Sequence, residues 1–124
     1  MPIFTVHLSA GHTPEQKTAL LKQSTDAVLE SLNAPLPSIR FALHELPADS
    51  TIVAGKMGAA QLLYIGYLIE GRSPELKAAL IAALSAAASA SIGISQQNVR
   101  VIIHDIPKTD IGVAGGITAL AAGR

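Results

Sequence analysis

Apolar residues recur along this chain in short runs typical of strands and in longer stretches with helical spacing. Residues 2–8 are rich in β-branched and aromatic side chains, which predicts a strand. Thr13 and Pro14 then form a helix-start signal, and leucine and valine follow at helical spacing up to residue 32. After a proline-containing break, residues 38–46 predict a second strand. The chain is thus predicted to begin with a β-α-β unit.

The same unit occurs a second time. A shift of 60 residues places residues 11–17 on residues 71–77, and residues 44–47 on residues 104–107, without a gap. We interpret the chain as a tandem duplication within a single domain, residues 1–124. The predicted units are residues 2–55 and 62–115, and the predicted linker is residues 56–61.

Two such units predict an α/β (α+β) fold with one four-stranded sheet. The strands of each unit should be parallel with a right-handed connection, because a crossover helix joins them. Both helices would then lie on one face of the sheet. Residues 101–103 are apolar without alternation, which indicates burial on both faces. We therefore expect other copies of the chain to cover the second face.

Composition and charge exclude several classes of protein. Hydrophobic residues make up 49% of the 124 residues, which excludes a disordered chain. Lys plus Arg equals Asp plus Glu at 9 each, so no net charge attracts nucleic acid or an anionic membrane. The absence of cysteine excludes disulfides, thiolate metal sites and cysteine nucleophiles. No charged leader followed by an apolar run is evident, and we expect a cytoplasmic protein.

Residues 78–97 carry no charge and are long enough to suggest a membrane span. Most of them are Ala and Ser, however, and the capping signals of a soluble helix precede them. We therefore expect a small-residue helix packed against the sheet or the sister helix, and no membrane partner.

Pro2 is the first candidate for chemistry. A proline inside a chain has no basic nitrogen, but removal of Met1 would make Pro2 a free secondary amine that can act as a base. The alternative is that Pro2 is only a small residue that permits methionine removal. Its counterpart in the second unit, Leu62, is a mid-chain residue, so only one unit can supply a catalytic amine.

Cationic positions also differ between the units. His12 in the first unit corresponds to Arg72 in the second, whereas Arg40 and Arg100 are equivalent. A guanidinium within an apolar strand needs a carboxylate, solvent or a ligand. For each arginine, the alternative is an ordinary solvated strand or turn residue.

The histidines do not predict a metal site. His44 and His104 occupy equivalent strand positions beside acidic residues, but no third ligand is placed with either of them. We expect structural or surface roles for both and no bound metal.

The terminal proline together with these arginines resembles the tautomerase superfamily, whose members use an amino-terminal proline as base. The chain looks most like a fused, tandem form of 4-oxalocrotonate tautomerase, and the resemblance covers nearly the whole chain. In the first unit it rests on Pro2-Ile3, His7, Gly11, Glu15-Gln16-Lys17, Ser31-Leu32, Ala34-Pro35-Leu36, Ser38 and Arg40. In the second unit it rests on Glu70-Gly71-Arg72-Ser73, Lys77, Leu80-Ile81, Val99-Arg100-Val101-Ile102-Ile103, Gly112-Val113 and Gly115-Gly116.

The resemblance implies a role for particular residues. Pro2 would be the general base, Arg72 would occupy the first active-site arginine position, and Arg40 and Arg100 would both occupy the second. Because His12 departs from the family pattern, Arg72 is the arginine left for the first role. Where the family has an aromatic wall, Thr51 and Ile111 stand here, so the resemblance leaves the apolar lining to Ile111 and Ile52.

The resemblance also implies a function and an assembly. The chain would be a cofactor-independent keto-enol tautomerase that acts on a dienol with one or two carboxylates, such as 2-hydroxymuconate. Fused chains of the family form trimers, and the glycine-rich residues 112–116 would form a hairpin that bridges neighbours. Two alternatives remain: a hydratase or dehalogenase relative acting on small unsaturated acids, and a non-catalytic trimeric interaction protein.

Overall fold

The computed structural model describes residues 2–124. They form two long helices, four main strands and two short hairpins. In chain order the elements are β1 (Ile3–Ser9), α1 (Pro14–Leu32), β2 (Arg40–Leu46), β3 (Ile52–Val53), β4 (Lys56–Met57), β5 (Leu62–Ile69), α2 (Pro74–Ile92), β6 (Val99–Ile106), β7 (Gly112–Val113) and β8 (Ile117–Thr118).

The four main strands form one sheet in the order β2-β1-β5-β6. Within each unit the two strands are parallel, as the crossover helix predicts. Between the units, β1 and β5 run antiparallel, with Ile3 opposite Tyr67 and Leu8 opposite Leu62. The predicted fold class is confirmed, and the start of β1 lies beside the end of β5.

Both long helices begin and end at residues suited to those positions. Thr13 Oγ1 accepts a hydrogen bond from the Gln16 backbone N–H at 3.1 Å, and the Thr13 N–H donates to Gln16 Oε1 at 2.9 Å. The predicted capping box is therefore confirmed. Asn33 ends α1 in the left-handed conformation, with φ of 51°. Ser73 caps α2, and Gly93 ends it with φ of 71°.

The core lies between the sheet and the helices. Alternate side chains of the two central strands point at the helices and are fully buried, namely Phe4, Val6, Leu8, Leu62, Tyr64 and Leu68. The helices contribute buried residues that include Leu20, Val28, Leu80 and Leu84. Each large apolar side chain buried in this way contributes about 1.5–3 kcal/mol.

Helix α2 is the one helix within residues 2–124 that is long and apolar enough to cross a membrane. In the fold it packs against α1 and β6. Leu80, Leu84 and Ala88 form its buried face. The expectation of a small-residue helix packed on its sister helix and the sheet is met.

Close packing of β1 on β5 depends on Gly66. A Cβ added at Gly66 would lie 2.3 Å from the Phe4 ring, well inside van der Waals contact. The Phe4 ring stacks on the Phe41 ring with centroids 4.9 Å apart, which leaves it little room to move away. The equivalent position of the first unit holds Val6, so the two units are not interchangeable at this contact.

The second face of the sheet has no helix packed over it from residues 2–124. Tyr67 is 36% exposed and Ile102 is 44% exposed on this face. Ring pairs stack across neighbouring strands, with centroids 5.2 Å apart for His7 and His44, and 5.3 Å apart for Tyr67 and His104. A single chain thus leaves this face, with its exposed Tyr67 and Ile102, incompletely covered.

Two short hairpins follow the outer strands. In the first, Ile52 pairs with Met57 and Val53 with Lys56, so the first two residues of the predicted linker form a hairpin strand. The turn forms because Ala54 and Gly55 adopt left-handed conformations, with φ of 50° and 78°. In the second hairpin, β7 pairs with β8, as the glycine-rich sequence predicts.

Strand direction places the two hairpins at opposite ends of the sheet. Since β2 is parallel to β1 and ends beside its end, the first hairpin lies at the end far from Pro2. Since β6 ends beside the end of β5, the second hairpin lies at the Pro2 end.

One buried hydrogen bond distinguishes the two units. Tyr64 is fully buried, and its hydroxyl and the Ser24 hydroxyl are 2.8 Å apart. Burial raises the pKa of Tyr64 to about 12, and the hydrogen bond with Ser24 opposes this rise. The equivalent positions of the other unit hold Phe4 and Leu84, which require no polar partner.

Replacing Tyr64 with Phe should lower the free energy of unfolding by about 1–2 kcal/mol at neutral pH, because the buried Ser24 hydroxyl loses its partner. The double variant Tyr64→Phe/Ser24→Ala should recover part of this loss, since both polar groups are then absent. Denaturant unfolding followed by circular dichroism measures both values. Strictly additive losses would contradict the coupling.

The same variant should reveal sensitivity to alkali. The pKa of Tyr64 is about 12 in the folded chain, against 10.0 for an unperturbed tyrosine. The folded chain therefore keeps a proton that the unfolded chain loses, so this stability is complete below pH 10 and declines as the pH rises toward 12. The difference in unfolding free energy between wild type and Tyr64→Phe should therefore shrink across that pH range. A constant difference in unfolding free energy would contradict the assignment.

Candidate active site

A cleft of about 480 Å³ opens beside the start of β1. Its lining residues are Pro2, Ala34, Pro35, Ser38, Ile69, Glu70, Gly71, Arg72, Lys108 and Arg124. The volume is typical of sites for small molecules. The cleft brings together Pro2 and Arg72, two predicted site residues that are far apart in the sequence.

The sheet explains why these two residues meet. Pro2 directly precedes β1 and Arg72 follows β5. Because β1 and β5 are antiparallel, the start of β1 and the end of β5 lie side by side, and both residues lie at the same end of the strands. The Arg40 backbone N–H donates to the Pro2 carbonyl at 3.0 Å, which fixes the start of the chain. The Ser38 hydroxyl donates to the Pro35 carbonyl at 2.7 Å, so the connection from α1 to β2 forms a fixed wall.

Arg72 is held in the turn between β5 and α2. Its guanidinium is half-buried and donates to the Ile69 carbonyl at 3.2 Å. Burial lowers the pKa of Arg72, and the negative charge of Asp105 opposes this effect. Arginine titrates so far above neutrality that Arg72 remains cationic. Asp105 forms its ion pair with Lys77, and no carboxylate of residues 2–124 lies within ion-pair distance of Arg72.

The other two predicted arginines do not line this cleft. Arg40 is exposed and borders an adjoining depression that it shares with Ser38 and Arg124. Arg100 lies at the opposite end of the strands, where its guanidinium donates to two carbonyls of its own segment at 2.7 and 3.1 Å. Within one chain, therefore, neither Arg40 nor Arg100 is placed beside a ligand in the Pro2 cleft.

The two isoleucines predicted to line the site occupy different ends of the molecule. Ile111 is 8% exposed and packs in a small cluster with Ile69, so it supports a cleft wall from behind. Ile52 is 59% exposed on the first hairpin. It does not line the cleft of its own chain, because β2 runs parallel to β1 and carries this hairpin to the far end of the sheet.

Three charged residues of the cleft were not among the predicted site residues, namely Glu70, Lys108 and Arg124. A signal for two of them was present in the sequence. Glu70 and Lys108 correspond to Ala10 and Ala48 in the first unit. The comparison of equivalent positions that distinguishes the candidate base also distinguishes these two residues.

The opposite end of the sheet lacks the same chemistry. There Leu62 stands in place of the proline and His12 in place of the arginine. The Ser9 hydroxyl donates to the Gln61 carbonyl at 3.2 Å and accepts from the Gln61 N–H at 3.0 Å, and His12 Nδ1 lies 3.2 Å from the Ser9 carbonyl. A depression of about 230 Å³ at this end includes Leu62 but not His12. Among residues 2–124, the proline and the arginine thus occur together at the Pro2 end of the sheet, and not at the Leu62 end.

The cleft therefore contains a candidate amine base, a half-buried guanidinium and further cations in a space of small-molecule size. Within residues 2–124, no three His, Asp or Glu side chains are grouped closely enough to hold a metal ion. This arrangement suits acid–base chemistry on a small anionic molecule. The fold and the cleft together are those expected of an enzyme that acts on a small molecule.

Comparison with known proteins identifies the family. A family model described as Tautomerase enzyme matches the chain twice, over residues 2–61 and 67–120. The solved structure of Q0 fused 4-OT, a wild-type symmetric trimer, is 56% identical with a TM-score of 0.95 and covers 98% of this chain and 99% of that one. F6 fused 4-OT, a wild-type asymmetric trimer, is 41% identical with a TM-score of 0.93 over the same shares.

The chain therefore belongs to the tautomerase enzyme family and is an isomerase. The 2-hydroxymuconate tautomerase of Comamonas testosteroni is 45% identical over 58 residues, which are 47% of this chain and 90% of that relative. This relative thus spans about half of the chain, whereas the two fused 4-OT structures span nearly all of it.

Replacing Arg72 with Ala should weaken the binding of an unreactive dicarboxylate such as adipate by about tenfold or more, because a half-buried guanidinium is lost from the cleft. His12→Ala is the matched control, since His12 holds the equivalent position at the other end of the sheet. Its affinity should match that of wild type in isothermal titration calorimetry. Equal losses in both variants would mean that the anion binds elsewhere.

Proposed function

We propose that this isomerase interconverts the enol and keto forms of a 2-hydroxydienoate such as 2-hydroxymuconate, with Pro2 as general base. The observation that carries the proposal is the presence of Pro2 and Arg72 in one cleft. The name of the Comamonas testosteroni relative, 2-hydroxymuconate tautomerase, supports the choice of substrate class. The proposed reaction requires no metal or organic cofactor.

The base in this proposal is the ring nitrogen of Pro2 after removal of Met1. Met1 lies outside the described residues, so its removal is itself part of the proposal. An unperturbed α-amine titrates near pH 8. The cation of Arg72 and the partly dry cleft both favour the neutral amine, which would be available as a base near pH 7.

The proposed reaction moves one proton. Pro2 takes the proton of the 2-hydroxyl group, and the electron pair shifts along the conjugated chain to C3 or C5. The same proton then returns from Pro2 to that carbon, so the product is a ketone isomer and no other atom enters or leaves. Arg72 binds a substrate carboxylate, and a second arginine stabilises the negative charge that develops on the 2-oxygen.

We further propose that the chain assembles as a homotrimer through the open face of its sheet. The exposed apolar side chains of Tyr67 and Ile102 on this face favour burial against other copies. The trimeric states of Q0 and F6 fused 4-OT support this assembly. In such a trimer, Arg40 or Arg100 of a neighbouring chain would supply the second arginine beside Pro2.

Replacing Pro2 with Ala should reduce kcat/KM for ketonisation of 2-hydroxymuconate by about 10²-fold or more, because the primary amine left by Ala is a poorly placed base. The assay follows the loss of dienol absorbance. Intact mass spectrometry of the wild type should show a chain that begins at Pro2. Unchanged activity in the variant, or a wild-type chain that retains Met1, would rule out Pro2 as the base and favour a non-catalytic role.

Replacing Ile102 with Asp should dissociate the trimer into single chains, because it places a charge on the open face. Ile81→Asp is the matched control, since Ile81 is 39% exposed, similar to Ile102 at 44%, but lies on helix α2. Sedimentation velocity measures the assembly of both variants. A trimer that survives Ile102→Asp and dissociates with Ile81→Asp would place the interface on the helical face.

A further inference from the structure

Lys108 is a cation of the cleft with a fixed backbone position. It lines the same cleft as Pro2 and Arg72 and is half-buried. The Leu120 N–H donates to the Lys108 carbonyl at 3.1 Å, and the Asp110 N–H donates to the Pro107 carbonyl at 2.8 Å across the turn. The second hairpin thereby holds the start of this side chain at the cleft wall.

The ammonium group of Lys108 lacks an ion-pair partner among residues 2–124, which contain two lysine ion pairs. Lys17 pairs with Glu45 and Lys77 pairs with Asp105, each tying a helix to an outer strand. Glu70 lines the same cleft as Lys108 but does not lie within ion-pair distance of it. A half-buried lysine that lines a cleft and has no ion-pair partner is a site where a bound anion is favoured.

Comparison of the two units separates this lysine from the structural ones. Lys17 and Lys77 are equivalent residues, present in both units, as expected for a shared structural role. Lys108 corresponds to Ala48, so this cation occurs only at the end of the sheet that carries Pro2. The charge of Lys108 therefore occurs only beside the candidate base, unlike the lysines that both units share.

We propose that Lys108, beside Arg72 in the same cleft, binds the substrate carboxylate distant from the 2-hydroxyl group, so that the cleft prefers dienols with carboxylates at both ends. The inference rests on the proposed function and makes its substrate class specific. Arg72 offers a planar, bidentate contact in a fixed direction, whereas the ammonium of Lys108 acts as a point charge on a flexible stem. Two cations of different geometry in one cleft suit a ligand that carries more than one carboxylate.

The experiment compares the dicarboxylate 2-hydroxymuconate with the same dienol lacking its distal carboxylate. Lys108→Met should lower kcat/KM for the dicarboxylate by about tenfold, mainly through a higher KM. The kcat/KM for the monocarboxylate should change by less than about threefold. Lys108→Arg should preserve the preference, because it keeps the charge. Lys22→Met is the matched control on the exposed surface of α1 and should match wild type with both substrates.

Binding of adipate, measured by calorimetry, separates this inference from the proposed function. Lys108→Met should bind adipate about tenfold more weakly than wild type, and a thermal melt matching that of wild type confirms that the variant is folded. Suppose that Pro2→Ala abolishes turnover, but Lys108→Met lowers kcat/KM equally for both substrates or for neither. The role of Lys108 is then overturned, and the tautomerase proposal stands. If Pro2→Ala stays active while Lys108→Met still binds adipate more weakly than wild type, the tautomerase mechanism fails and Lys108 remains a carboxylate-binding residue.

Discussion

Antiparallel pairing of β1 with β5 is the constraint on which the rest of this structure depends. It joins two parallel β-α-β units into one sheet and sets the start of one unit beside the end of the other. Pro2, Arg72 and Lys108 line one cleft at the same end of the sheet only because of that pairing. Register is strongly specified here, since a slip of one residue would turn Phe4 and its neighbours away from the helices. The stability of the core and the geometry of the cleft thus rest on the same set of backbone hydrogen bonds.

Duplication followed by divergence explains why a nearly symmetric fold has an asymmetric site. The lysine ion pairs and the capped helices repeat in both units and hold the shared architecture. The polar and charged chemistry of the cleft does not repeat, since Leu62, Ala10, His12 and Ala48 stand at the positions equivalent to Pro2, Glu70, Arg72 and Lys108. Inside the core, the contact of Gly66 with Phe4 and the bond between Tyr64 and Ser24 also differ between the units. Asymmetry therefore extends from the site into the packing, so each unit has become specific to its own side of the sheet.

Much of the fold could be predicted from the sequence because its signals are local. The capping box at Thr13, the strand at residues 2–8 and the crossover connections each depend on neighbours along the chain, and the gapless repeat extended them to the second half. The first hairpin itself was not predicted, since it depends on a two-residue turn at Ala54 and Gly55 that pairs Ile52 with Met57. The position of Ile52 relative to Pro2 could not be predicted in the same way, because it depends on strand direction across the whole sheet.

The sequence by itself determined the duplicated β-α-β architecture, the candidate base and the arginine positions, since these follow from periodicity, equivalence between units and side-chain chemistry. Only the tertiary structure decided which residues share a cleft. It brought Lys108 and Glu70 to Pro2 and carried Arg100 and Ile52 to the other end of the sheet. The physical reason is that strand order and direction are fixed by long-range hydrogen bonding and by burial of one sheet face, neither of which any short stretch of the chain encodes.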